Sequence, residues 1–264
     1  MRYFVVDAFT TRPFAGNPAA VIPLEHWLPD ATLAAIAAEL ALSETAYLVR
    51  EADGFGLRWF TPTVEVDLCG HATLASAHVL FRELEPARRE VRFHTRSGAL
   101  DVVRTDDGAT LELPVRAPTP PGDPALMDAV QAALGAPIRE LWESRNLMAV
   151  LADGDAVRDL APDFRQVGAL PTEGLIVTAP GTGAIDFVSR YFTPQHGIDE
   201  DPVTGSAHCT LVPYWAARLG RTSLRARQVS RRGGDLDLEL AGARVRMTGA
   251  AVLVARGELL IPLG

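Results

Sequence analysis

Lysine is absent from this chain: all 25 basic residues are arginine. A Schiff base with a carbonyl substrate or with pyridoxal phosphate needs a lysine amine, and so does the usual phosphate-binding loop, so both chemistries drop out. Protein kinases of the common type go with them. Cysteine is scarce, at two residues, Cys69 and Cys209, with no CxxC spacing. That excludes a secreted disulfide framework and a cysteine-rich structural zinc site, and it fits a reducing, cytoplasmic compartment. No run of about 20 apolar residues occurs, which argues against a membrane-spanning helix. The N-terminus meets Asp7 and then Arg12-Pro13 after a short apolar run, which does not fit a signal peptide.

Positive charge is outweighed, with 33 acids against 25 arginines and a net charge of -8. A nucleic-acid partner is therefore not expected. The densest basic run, Arg221 to Arg232 with Arg225, Arg227 and Arg231 between, reads as a solvated strand edge. With 264 residues and 48% hydrophobic content, the chain can bury one large core or two cores of about 130 residues each.

Periodicity predicts strands over Tyr3 to Phe9 and Ala19 to Pro23, separated by a turn on Phe14-Ala15-Gly16-Asn17-Pro18. Asp30 is read as the cap of a helix that places Leu33, Ile36, Ala37 and Leu40 on one face. Strands follow at Glu44 to Arg50 and Gly56 to Phe60, and a helix from Gly70 is apolar almost all round, as expected of a helix buried among strands. Further strands are predicted over Val91 to Arg104 and Thr110 to Val115. Five prolines between Pro114 and Pro124 mark a linker, which sets two domains, 1–117 and 118–264, with a last strand at Ala250 to Ala255 that could return to the first.

The second half repeats the first. Trp59-Phe60-Thr61-Pro62, a loop and Gly70-His71-Ala72-Thr73 lead into one apolar helix; Tyr191-Phe192-Thr193-Pro194, a loop and Gly205-Ser206-Ala207-His208 lead into another. Two similar domains follow from this. The unpaired N–H groups and the dipole at two such helix starts suit a small carboxylate, with Gly70 and Gly205 allowing close approach; the alternative is that glycine and serine are ordinary caps. Cys69, at a helix start, reads either as a proton-transfer group or as a small buried residue. A metal site from His71, His78 and His208 lacks the short spacings of zinc enzymes, and none is expected. Periodicity alone does not single out Glu44, within Ser43-Glu44-Thr45-Ala46.

Taken together, these blocks resemble the phenazine-biosynthesis PhzF-like family, relatives of diaminopimelate epimerase in fold. The matching residues are Asp7-Ala8-Phe9, Phe14 to Val21, Ser43 to Ala46, Arg58 to Pro62, Glu65 to Thr73, Arg190-Tyr191-Phe192 and Glu200 to His208. The resemblance implies an α+β fold of two pseudo-symmetric domains. Each would be a curved, mixed, barrel-like β-sheet wrapped around a central helix, with the active site in the cleft between them. It further implies a cofactor-free isomerase that moves a proton between carbons of a small cyclic carboxylate resembling dihydro-hydroxyanthranilate. Glu44 would be the general acid/base, aided by His71 and Asp201, with Gly70, Ser206, Gly205 and Cys69 binding substrate. The epimerase relatives use a cysteine from each loop; here Thr204 stands in the second position, which disfavours a two-thiol racemase. A one-base epimerase or racemase is the runner-up, and a carboxylate-binding protein without turnover is the alternative from another class. A homodimer is expected on general grounds.

Overall fold

The structure, a computed structural model, describes residues 1–261 and divides into two compact units. One comprises Met1–Glu112 with the stretch from Thr248 onward; the other is Leu113–Met247. In the first unit the chain forms β1 (Arg2–Ala8), β2 (Asn17–Leu24), α1 (Asp30–Leu40), β3 (Glu44–Glu51), β4 (Gly54–Phe60), β5 (Glu65–Val66), α2 (Gly70–Val79), β6 (Glu90–Thr95), β7 (Gly98–Arg104) and β8 (Ala109–Pro114). The second continues with α3 (Leu126–Leu134), β9 (Glu140–Glu143), β10 (Leu147–Val150), α4 (Gly154–Arg158), α5 (Phe164–Gly168), β11 (Leu175–Pro180), β12 (Phe187–Thr193), β13 (Ile198–Glu200), α6 (Gly205–Leu219), β14 (Ser223–Gln228), β15 (Gly234–Ala241) and β16 (Arg244–Gly249). Finally β17 (Ala251–Glu258) pairs antiparallel with β1. The prolines therefore lie at the start of the second unit, and the change of unit comes at Glu112/Leu113 and again at Met247/Thr248.

Both units wire their strands in the same way. In the first, β1–β2 is antiparallel, β2–β3 parallel, β3–β4 and β4–β5 antiparallel, β4–β6 parallel and β6–β7 antiparallel. In the second, β9–β10 is antiparallel, β10–β11 parallel, β11–β12 and β12–β13 antiparallel, β12–β14 parallel and β14–β15 antiparallel. The parallel steps β4–β6 and β12–β14 need long crossovers, which α2 and α6 supply. The tetrapeptide repeat is thus the visible part of a whole repeated mixed sheet.

A charged clamp recurs with the sheet. Arg58 on β4 gives Nε and an Nη to the two carboxylate oxygens of Glu65 on β5, both at 2.7 Å, and its guanidinium lies over the Phe60 ring. Arg190 on β12 holds Glu200 on β13 in the same fork, at 2.7 and 2.9 Å, and lies over Phe192. A bidentate pair of this kind ties a two- or three-residue strand to its neighbour where few ladder bonds are available.

Among residues of α2, all but His78 are buried. The polar ones are tolerated because they bond back within the helix: the Thr73 hydroxyl donates to the Cys69 carbonyl at 2.5 Å and that of Ser76 to the Ala72 carbonyl at 2.7 Å. His208, at the position in α6 that Thr73 holds in α2, uses Nδ1 the same way on the Thr204 carbonyl at 2.8 Å. α2 packs on β1, β2 and β3. Leu33, Ile36 and Ala37 of α1 pack with Ile22, Tyr47 and Phe60.

Three local readings need correction. Asp30 is the first residue of α1 rather than its cap; Pro29 holds the cap position, and the Asp30 carboxylate instead accepts from Arg58 at 2.9 Å. Val91 to Arg104 is a hairpin, broken at Gly98, whose φ of +97° suits a tight turn. The arginine run is not a sheet edge, since β14 is hydrogen-bonded to β12 on one side and β15 on the other. Its outward arginines meet acids across the ladder, Arg227 forked on Asp235 and Arg225 facing Asp237 at 3.6 Å.

The turn before β2 is constrained by Gly16, at φ +65° with an added Cβ only 2.1 Å from the Ala8 carbonyl oxygen. Gly16→Ala is expected to lower stability by roughly 2 kcal/mol or more, because strain and a backbone clash combine. Urea unfolding followed by circular dichroism checks this, and an unchanged midpoint would contradict it.

Candidate active site

Three separate segments of the first unit meet at one imidazole. The parallel register of β2 with β3 sets Ala19 beside Glu44, so the start of β2, at Asn17, and the start of β3, at Glu44, lie at the same end of the sheet. α2 packs against that sheet and begins with Cys69 in its cap position and His71 as its second residue. His71 Nε2 lies 2.9 Å from Glu44 Oε2, out of line for a formed hydrogen bond, so the contact is electrostatic. On the ring's other side, Asn17 Nδ2 is 3.0 Å from Nδ1 and Cys69 Sγ is 3.5 Å from it. An amide nitrogen can only donate, so in the neutral ring Nδ1 accepts and the proton sits on Nε2, facing Glu44.

The electrostatics follow from burial and charge. Burial and the neighbouring Glu44 charge push the Cys69 thiol up to about 11, so it stays protonated near neutrality despite its place at a helix start. Burial by itself would lower His71, but the neighbouring Cys69 and Glu44 outweigh it and hold the imidazole well above its ordinary value. Glu44 is the least buried member of the cluster. Its side chain keeps 13% exposure while His71 keeps 3%, so the carboxylate is the member that can reach a ligand.

Glu44, Cys69 and His71 place one ligand atom each within 4.8 Å of one another, the spacing of a possible ion site. Cys69 and Glu44, however, face opposite nitrogens of the same ring. An ion shared by both would have no common histidine nitrogen, so the set fits a proton-conducting chain better than a chelate. His78 lies outside the cluster and lines a small cavity with Leu74, Phe81 and Arg82.

The second unit sorts the three acids before α6. Asp199 is exposed, Glu200 is held by Arg190, and Asp201 is buried and accepts from the Thr204 hydroxyl at 2.5 Å. Thr204 occupies the cap position of α6, Gly205 opens the helix, and half-buried Ser206 stands where α2 has His71. His208 is fully buried, its pKa lowered to about 4 by burial, which leaves it neutral and structural. Neither glycine is the cap residue of its helix, which corrects the reading of glycine and serine as caps.

Sequence reasoning missed two residues as site members. Asn17 stood in the matched block only as part of a turn. Gln228, whose amide bonds Asp201 and Thr204, carries no local signal beyond closing the strand after α6.

The thiols give a direct check. With Cys69 at about 11 and Cys209 pushed up to about 12, both by burial, neither reacts as a thiolate at pH 8 in the native protein. Ellman's reagent is expected to find almost no thiol before unfolding and both cysteines in guanidinium; rapid native labelling of Cys69 would overturn the assignment.

A carboxylate, an imidazole and a thiol meet at the start of a buried helix, in a fold that repeats one mixed sheet twice. The chain belongs to the phenazine biosynthesis-like protein family, PhzC-PhzF, whose model matches residues 6–257. It is 49% identical over 260 residues to an uncharacterized isomerase of Pseudomonas aeruginosa, covering 98% of each chain. The crystal structure of a PhzF-family phenazine biosynthesis protein from Enterococcus faecalis superposes with a TM-score of 0.91 at 46% identity, covering 98% of this chain and 99% of that one. A predicted epimerase from Pseudomonas aeruginosa shares the fold, with a TM-score of 0.76 at 23% identity and 99% of each chain covered.

Proposed function

We propose that this protein is a cofactor-independent isomerase that moves a proton between carbons of a small cyclic carboxylate, with Glu44 as general acid/base. The observation that carries the reading is the half-shielded Glu44 carboxylate, 2.9 Å from the buried His71 Nε2. Proton abstraction from carbon calls for a base held out of bulk water and fixed in orientation, and a cluster buried on every side but the carboxylate supports that role. In this reading Glu44 takes the proton from one carbon and returns it to another. His71, with its Nε2–H toward Glu44, orients the carboxylate. The helix starts at Gly70 and at Gly205-Ser206 each offer unpaired N–H groups to a carboxylate, and Asp201 offers its own carboxylate to a polar group of a ligand.

The test is NMR in deuterated water with dihydro-hydroxyanthranilate and a panel of small cyclic amino and hydroxy acids. Isomerisation, or uptake of deuterium at carbon, supports the reading; binding of a compound without exchange favours a carboxylate-binding protein instead. The second reading, one-base epimerisation through Cys69, rests on the thiol's place 3.5 Å from His71. Its thiol, at about 11, is a reluctant base. Full turnover in Cys69→Ser removes this reading.

A further inference from the structure

The start of α6 carries a hydrogen-bonded clamp that the start of α2 lacks. Gln228 Nε2 donates to the Asp201 carbonyl at 2.7 Å and to Thr204 Oγ1 at 3.2 Å, and Gln228 Oε1 accepts from the Thr204 backbone N–H at 2.8 Å. The Thr204 hydroxyl then donates to Asp201 Oδ2 at 2.5 Å. Asp201, Thr204 and Gln228 are all buried. Direction matters in this chain. The hydroxyl accepts from the amide and donates to the carboxylate, the direction of a charge-assisted bond to an ionised oxygen.

The two units share one element of this arrangement. The shared support is a serine on the following hairpin: Ser97 Oγ donates to the Asp67 carbonyl and Ser230 Oγ to the Pro202 carbonyl, both at 2.7 Å, each two residues before the helix cap. Thr95 ends β6 as Gln228 ends β14, but its hydroxyl turns to the Gly98 carbonyl within its own hairpin. The first loop holds a thiol in the cap position, beside His71. The second holds a hydroxyl, which does not give up its proton near neutral pH, locked between an amide and a carboxylate.

We propose that Thr204 and Gln228 are positioning residues that keep the Asp201 carboxylate ionised and in one orientation, converting the second loop from a proton-transfer station into a fixed hydrogen-bonding partner for substrate. This deepens the reading of Asp201 as a substrate-contacting group and rests on it. Among the described residues, the titratable side chains that face the clamp include Tyr191 from β12, held above its ordinary range by burial and by the Asp201 charge, and His208 from α6. Tyr191 also accepts the Asp201 backbone N–H on its carbonyl, at 3.0 Å.

The experiment is a carboxyl titration by NMR of the full-length protein labelled with 13C-aspartate, with Asp201→Asn to assign the signal. Thr204→Val keeps the shape and removes the donor. It is expected to move the Asp201 titration upward by about one pH unit, with Thr204→Ser restoring it and Gln228→Leu moving it in the same direction. A purely structural role predicts a lower melting temperature with an unmoved carboxyl titration in folded Gln228→Leu and Thr204→Val, and that result overturns the proposal. Should Thr204→Val fail to fold, Gln228→Leu and Thr204→Ser decide the matter alone. With an exchanging substrate, the acid limb of its pH profile shifts along with the carboxyl; a carboxyl that moves without that limb overturns the positioning role. Absence of exchange from every compound, with the titration still moving, defeats the isomerase reading while leaving the clamp in place.

Discussion

Glu44→Gln is expected to abolish carbon-proton exchange, lowering the rate by about 10²- to 10⁴-fold, the usual range for loss of a positioned general acid/base. The substitution keeps the side chain's shape and its neighbours, so ligand binding and thermal stability should change far less than turnover. Measurement is deuterium uptake by NMR with any compound the wild type exchanges; a variant that retains wild-type exchange would remove Glu44 from the reaction. The same variant has a second readout. The Glu44 charge raises His71, and a histidine whose folded pKa exceeds its unfolded value contributes stability that is fully present below about pH 6.5 and lost as pH rises through the folded value. Removing the charge should therefore cost most stability on the acid side of that window. The imidazole signal of His71 should titrate at lower pH in Glu44→Gln.

The largest effect on stability is expected from Arg190→Met. The Arg190 side chain is only 11% exposed, and besides its fork on Glu200 it donates to the carbonyls of Val157, Arg158 and Leu160 at 3.4, 3.3 and 2.8 Å. Methionine fills the space but strands a carboxylate at 17% exposure and frees three carbonyls. Breaking a buried pair from one side costs about 3–5 kcal/mol, and the shielding here places the loss toward the lower figure. Urea denaturation of the two proteins checks it. Adding Glu200→Leu should recover part of the loss, since the stranded charge goes, but the three carbonyls remain unpaired. A double variant as stable as wild type would mean that the carbonyl contacts contribute nothing. Arg58→Met is expected to be milder, because Arg58 bridges outward to Asp30, which is 73% exposed, rather than to backbone.

The repeat was legible because it is written in residues with strong local consequences: an aromatic-Phe-Thr-Pro strand end and a glycine that opens a helix. The extent of α2 was legible too, since ten residues with almost no polar face can only be buried. Reading failed where two local signals compete. Asp30 looks like a cap by type, yet Arg58, 28 residues away, draws its carboxylate. The arginines around β14 look like an edge by charge, yet their acids lie on β15, and alternation alone cannot say how many neighbours a strand has.

Glu44 marks the limit most plainly. In the chain it is one acid among 33, placed between a helix and a strand, and its spacing to His71 carries no periodicity. What selects it is the parallel register of β2 with β3 and the packing of α2 on them, which bring Asn17, Glu44, Cys69 and His71 to one point. The amino-acid sequence by itself determined the absence of lysine chemistry, the duplication, the buried helices and the family blocks, because composition and short-range pattern are properties of neighbours along the chain. Only the tertiary structure decided which acid faces the imidazole, which nitrogen of that ring it meets, and that Thr204 and Gln228 close on Asp201. Those depend on distances between segments far apart in sequence, set by strand register and helix packing rather than by any residue's own preference.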